Sequence, residues 1–165
     1  MTIDNFDPHK FHDNLVHGIS MSVEGYSSEL RLDVDYIADW PPCVLGDSHR
    51  VEFTVVRGLV TFQDVTDLCV KIDWGDSGYT TAVSGPYIDV LQREKIVTSL
   101  RLPNYFRWKI IFTDGRSSIT FGASSMSFVT HGSLVKVDRQ YLTDQERGTG
   151  SDPAVIPPQK ERDQK

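Results

Sequence analysis

The chain has 165 residues and a mass of 18.6 kDa, with 39% apolar and 24% charged residues, and no apolar run near the roughly 20 residues that span a bilayer. A chain of this size buries about 70% of the surface its unfolded form exposes, so it can hold a core without disulfides or a structural metal. Seventeen Lys and Arg against twenty-three Asp and Glu leave a net charge of −6, a field that argues against general binding to nucleic acid or to anionic membranes.

The opening Met1-Thr2-Ile3-Asp4-Asn5-Phe6-Asp7 has neither the positive n-region nor the apolar h-region of a secretory leader, so the cytoplasm is the expected compartment. Beyond it the dominant period is two. Leu15, Ile19, Met21 and Val23 share one face against Gly18, Ser20 and Ser22, and Leu30, Leu32, Val34 and Tyr36 alternate with Arg31, Asp33 and Asp35. Successive side chains of a strand point to opposite faces, so these are half-buried strands. Glu24-Gly25-Tyr26-Ser27-Ser28 supplies the turn between them, which predicts an antiparallel hairpin. Trp40-Pro41-Pro42 ends the second strand, because proline cannot donate to a ladder.

Val51, Phe53 and Val55 continue the pattern, and Gly58 before Leu59-Val60-Thr61-Phe62 predicts a bulge or bend. Leu68, Val70, Ile72 and Trp74 alternate with Cys69, Lys71 and Asp73, and Phe106, Trp108, Ile110 and Phe112 with Arg107, Lys109 and Ile111. Asp114-Gly115 marks a tight hairpin turn before Ile119 and Phe121. A last strand is expected within 126–137, broken near Gly132. Short helices are expected over 87–95 and 138–147, the second with Asp138 as N-cap and Gly148 as stop. The fold class is therefore mainly β, an antiparallel sandwich or strongly curled sheet of about seven strands with one or two short helices. It forms one domain over 1–147, and the Gly- and Pro-rich tail 148–165, without apolar period, is expected to be disordered.

Candidate chemistry is sparse. His9, His12, Asp13 and His17 gather near the start, and imidazole with carboxylate suits zinc and similar metals. A site of His12, Asp13 and either Asp33 or Asp35 is conceivable on ligand type, but the spacing matches no metal motif. The plainer expectation has Asp13 taking up local backbone N–H groups, His12 anchoring the chain entry and His17 hydrogen-bonded and partly buried. Asp33 and Asp35 share a strand face roughly 7 Å apart, within the range of catalytic carboxylate pairs. Their alternation with a buried face predicts that they are wet, with Arg31 as partner.

No nucleophile elbow, phosphate loop or dinucleotide fingerprint occurs, and no cofactor is expected. Asp73-Trp74-Gly75-Asp76-Ser77-Gly78 has misplaced oxygens for a calcium loop and lacks the terminal Glu, so it is expected to be a turn. The two cysteines are expected to be reduced, Cys69 as a small buried thiol and Cys43 without activation. Arg101, Arg107 and Lys109 with Tyr105 and Trp108 outline a small basic and aromatic patch, a mixture that suits protein recognition as well as RNA stacking.

Phe11-His12-Asp13, Leu15-Val16-His17-Gly18-Ile19, Leu30 to Tyr36, Leu59 to Val65 and Ile119-Thr120-Phe121-Gly122-Ala123 resemble a group of small uncharacterised bacterial β-domains with an N-terminal His-Asp pair, some of them similar to immunity proteins of toxin systems. The resemblance covers about residues 9–147. It implies a mostly β, cytoplasmic protein, non-enzymatic or of uncharacterised activity, and carries over no binding residue.

The absence of catalytic motifs together with the acidic charge points to a protein-binding domain whose partner is a basic protein, since complementary charge speeds encounter. Two alternatives stay open at this point. One is a metal-dependent hydrolase on His12, Asp13, His17 and the Asp33/Asp35 face, and the other is a structural homodimer formed through an edge strand.

Overall fold

The computed structural model of the chain describes residues 6–41, 51–73, 85–100, 102 and 104–148. The alternating segments form eight strands: β1 Leu15–Glu24, β2 Ser27–Asp39, β3 Phe53–Gln63, β4 Thr66–Lys71, β5 Ile88–Lys95, β6 Phe106–Phe112, β7 Ser118–Ala123 and β8 Ser125–Val137. They hydrogen-bond into two four-stranded sheets, ordered β1-β2-β3-β8 and β4-β7-β6-β5, with antiparallel neighbours throughout.

The apolar parity of each strand turns toward one shared core. Leu30, Leu32 and Val34 of β2 and Val60 and Phe62 of β3 bury against Trp108, Ile110 and Phe112 of β6 and Ile119 and Phe121 of β7. The Phe62 ring meets Trp108 and Phe121 edge-on, with centroids 5.0 and 4.7 Å apart, an arrangement the ring quadrupoles favour. Chain crossings join the sheets along one side. Asp64 adopts φ +55 between β3 and β4, and Ser124, between β7 and β8, donates its N–H to the Gln63 carbonyl at 3.0 Å. On the other side residues 8–16 hydrogen-bond to 86–91, as in Asp13 N–H to the Ile88 carbonyl at 2.7 Å.

The predicted hairpins appear, including Asp114-Gly115 with Gly115 at φ +67. Neither predicted helix does. Residues 88–95 are β5, and a bulge explains the misreading: Ile88 faces Phe112 and Val90 faces Ile111, so Asp89 is an extra residue. The extra residue turns both Ile88 and Leu91 into the core, a three-residue spacing that imitates a helix.

Residues 138–147 are bends and turns. Their single turn is capped at Thr143, not Asp138. The Thr143 N–H and hydroxyl donate to Glu146 Oε2 at 2.8 and 2.9 Å, the Glu146 N–H returns to Thr143 Oγ1 at 3.4 Å, and Arg147 N–H reaches the Thr143 carbonyl at 2.9 Å. This is a capping box that closes one turn.

Gly58 neither bends nor breaks β3. The irregularity opposite β8 falls between Val55 and Arg57, on the β8 side of which Gly132 stands at φ +81. Gly58 instead makes room for the Phe128 ring, which a Cβ there would approach to 2.6 Å. Cys43, Trp74 to Gly78, Arg101 and the tail from 149 lie outside the described residues. Among the described residues no helix is long and apolar enough to cross a membrane.

Candidate functional site

The odd positions of β2 face away from the shared core, opposite Leu59 and Arg57 of β3 at Asp33 and Asp35. Alternation predicts a wet face there, with Arg31 as counterion. The structure corrects both points. Arg31 pairs with Glu29, and the segment 138–148 folds back over this face and covers the two aspartates. Leu142 packs with Ile37, Val55 and Val137 in a second small core, which lies on the outer side of the first sheet.

Beneath that strap Asp35 is fully buried. Its Oδ2 accepts the Leu142 N–H at 2.8 Å and stands 2.6 Å from His17 Nε2, while Oδ1 accepts from Arg147. Arg147 reaches Asp33 Oδ1 with its other terminal nitrogen at 2.6 Å. Arg57 holds the same Asp33 carboxylate in a two-pronged grip, at 3.1 and 2.8 Å. Two carboxylates therefore face two guanidiniums, with one imidazole beside them. Forked pairing of this kind fixes direction as well as charge.

Burial by itself pushes the Asp33 carboxyl upward, but the hydrogen bonds from Arg57 and the charge and hydrogen bonds of Arg147 outweigh it, and the group sits below the ordinary aspartate value. The Tyr87 hydroxyl is pushed up, first by burial and then by its electrostatic interactions with Tyr141, Asp35 and Asp13. Asn14, also buried, accepts the Ile37 N–H through Oδ1 at 3.0 Å.

His17 reaches this cluster through a local irregularity. The β1–β2 register shifts between Val16 and Gly18, so His17 leaves the apolar parity that sequence spacing gave it and turns outward to Asp35. His12 lies elsewhere. Its Nδ1 is 3.3 Å from Asp13 and its Nε2 3.7 Å from Asp89, all at partly exposed side chains. Asp13 adopts φ +60 and serves the chain entry through its own N–H. The five sequence candidates thus divide: His17 pairs with Asp35, Arg147 links Asp35 to Asp33, and Arg57 holds Asp33, while His12 and Asp13 form a separate surface pair. Among the described residues no three His, Cys, Asp or Glu side chains converge as metal ligands would.

Arg57 and Arg147 are the partners that sequence reading misses. Arg57 carries a signal, as the one charged residue between Glu52 and Asp64 in an otherwise apolar strand. Arg147 carries none, because nothing in its spacing indicates that it returns to β2.

The proposed basic and aromatic patch separates. Arg107 and Lys109 are exposed on the outer face of the second sheet, whereas Trp108 is in the core. The Tyr105 hydroxyl donates to the Asp64 carbonyl at 2.9 Å and contacts Thr66 Oγ1 at 2.8 Å, with its ring over Gly122. Cys69 is a free thiol and exposed, not buried, since it aligns with Thr120 on the polar side of β7. Comparison of the chain with protein-family models, with curated proteins and with solved structures finds no match.

Proposed function

We propose that this chain is a non-enzymatic β-sandwich that acts by binding protein, with a basic protein as partner and a role of the immunity type. The observation that supports this reading best is the state of Asp35. General acid or base work needs a carboxylate that a substrate can reach, and Asp35 has no exposed surface and three donors already on it. Removing a partner from such a buried pair is costly, and the pair holds the strap in place. The net charge of −6 favours encounter with a cationic surface, and a sheet edge with no strand neighbour among the described residues offers backbone groups for strand addition.

The test is affinity capture with the full chain at two ionic strengths. A basic protein retained at low salt and lost at high salt is the expected result. Recovery of no such protein, together with a hydrolytic activity that follows stoichiometric metal and disappears with chelator, overturns the proposal.

A further inference from the structure

We infer that β1 is the self-association edge of the protein, pairing antiparallel with β1 of a second copy so that the two first sheets join into one of eight strands. This goes beyond the binding reading above, since the occupant is a second copy of this chain and not a basic protein. Ile19, Met21 and Val23 lie opposite Leu32, Leu30 and Ser28 of β2, the first two on the core side of the sheet, yet their exposures are 38%, 49% and 67%. They form an apolar row on the part of that edge beyond the Leu15–Tyr87 bridge, where β2 is the one strand neighbour among the described residues.

Natural edge strands discourage pairing with charge, proline or bulges. The other three described edges carry such protection. In β4 it is Asp67 at φ +52 and Lys71, and in β5 it is Asp89, Glu94 and Lys95. In β8 it is the left-handed Gly132 and Lys136, and its Met126 and Phe128 are already packed against the core. From Gly18 to Val23, β1 has no charged residue and no proline, and its register with β2 is unbroken there.

The occupant follows from the symmetry of the segment. A two-fold axis requires the same residues on both sides. Centred on Met21, it places Met21 against Met21, Ile19 against Val23 and Ser20 against Ser22, and sets Glu24, the strand's one carboxylate, against Gly18. Apolar meets apolar, hydroxyl meets hydroxyl and no like charges are opposed, the conditions that favour cross-strand pairs. Moving the centre by one residue toward Ser20 sets Val23 against His17, and moving it toward Ser22 sets Ile19 against Gly25. Only the Met21 centre covers the whole apolar row.

Salt separates this partner from a cationic one. Two chains of like net charge repel at long range while the joining strands are nearly neutral, so added salt strengthens self-pairing, whereas it weakens capture of a basic protein. Sedimentation of the full chain over a concentration series is expected to show a reversible dimer that tightens with salt. Met21→Lys, at a half-exposed site that leaves the core intact, should raise the dissociation constant more than about tenfold by opposing two cations. In a Cys43→Ser, Cys69→Ser background, Met21→Cys should oxidise to a linked dimer and Val129→Cys on β8 should not. A monomer at every concentration, or a dimer that Met21→Lys leaves unchanged and Val129→Cys links equally well, overturns the inference. A monomer that still captures a basic protein in a salt-sensitive way overturns self-pairing alone and leaves the binding function standing.

Discussion

Arg147 donates to Asp35 across 112 residues of chain, and this contact ties the end of the C-terminal strap to the middle of β2. Asp35 is fully buried and the Arg147 side chain is 9% exposed, so neither has water to fall back on. Asp35→Asn should cost about 3 kcal/mol, because it leaves Arg147 under-neutralised in a desolvated place. Arg147→Met alone should also destabilise. Combined, the two changes should cost less than their sum by at least about 1 kcal/mol, the sign expected when each single change strands the other's partner. Urea denaturation of the four proteins measures this. Strict additivity would show that the two side chains do not depend on each other.

Asp33 supplies a pH dependence of definite sign. Its folded-state value lies below the ordinary one, because the hydrogen bonds of Arg57 and the charge of Arg147 outweigh burial. As the pH falls through the unfolded aspartate value near about 3.9, the unfolded chain takes up this proton first. The stabilisation is therefore complete well above that value and is lost as acidity carries the pH down through the lowered folded value. Stability measured from about pH 6 down to about pH 3, a range that brackets the unfolded aspartate value, should fall less steeply in Asp33→Asn than in the parent chain. Equal slopes would mean that Asp33 has the same proton affinity folded and unfolded.

How far these features are legible in the sequence depends on whether they are local. The alternation at Leu30, Leu32 and Val34, or at Trp108, Ile110 and Phe112, names strands because parity is a property of neighbours. The same alternation says nothing about what covers each face. Asp33 and Asp35 occupy the polar parity, as expected, yet a strap with no period of its own buries Asp35 and partly covers Asp33. Bulges mislead in a second way. One extra residue at Asp89 gives β5 the spacing of a helix, and another at His17 moves that ring to the opposite face. The capping box at Thr143 and Glu146 was readable as a Thr-x-x-Glu pattern, although Asp138 drew the expected cap five positions early.

That box makes the strap's stability separable from the core's. Glu146 is held down at about 2, first by its hydrogen bond from Arg139 and then by those from the Thr143 N–H and hydroxyl. Thr143→Ala should cost about 1 kcal/mol, the usual loss of an N-cap. The loss should be local: the Leu142 N–H that donates to Asp35 should exchange faster with solvent, while amides of β6 and β7 keep their protection. Hydrogen exchange resolved by residue reads both. Uniform acceleration across the chain would show that the strap does not open separately.

Gly58 offers the sharpest steric test, because two effects of opposite sign meet there. Its backbone is not in the left-handed region, so an alanine could in principle stabilise by restricting the unfolded chain, by roughly 0.4–1 kcal/mol. Against this, the new Cβ would stand 2.6 Å from the edge of the Phe128 ring and 3.3 Å from Val34 Cγ2. A ring edge can swing away only if it has room. This one has little, with the Tyr36 ring centred 4.7 Å away and the Phe11 ring 5.1 Å away. Overpacking of this kind costs about 1–3 kcal/mol, so the clash should win and Gly58→Ala should lower the melting temperature. Phe128→Leu in the same chain should then restore part of the loss, because the shorter side chain vacates the space the methyl needs. If Gly58→Ala instead raises the melting temperature, the ring moves more freely than its neighbours suggest, and the chain entropy term decides the outcome.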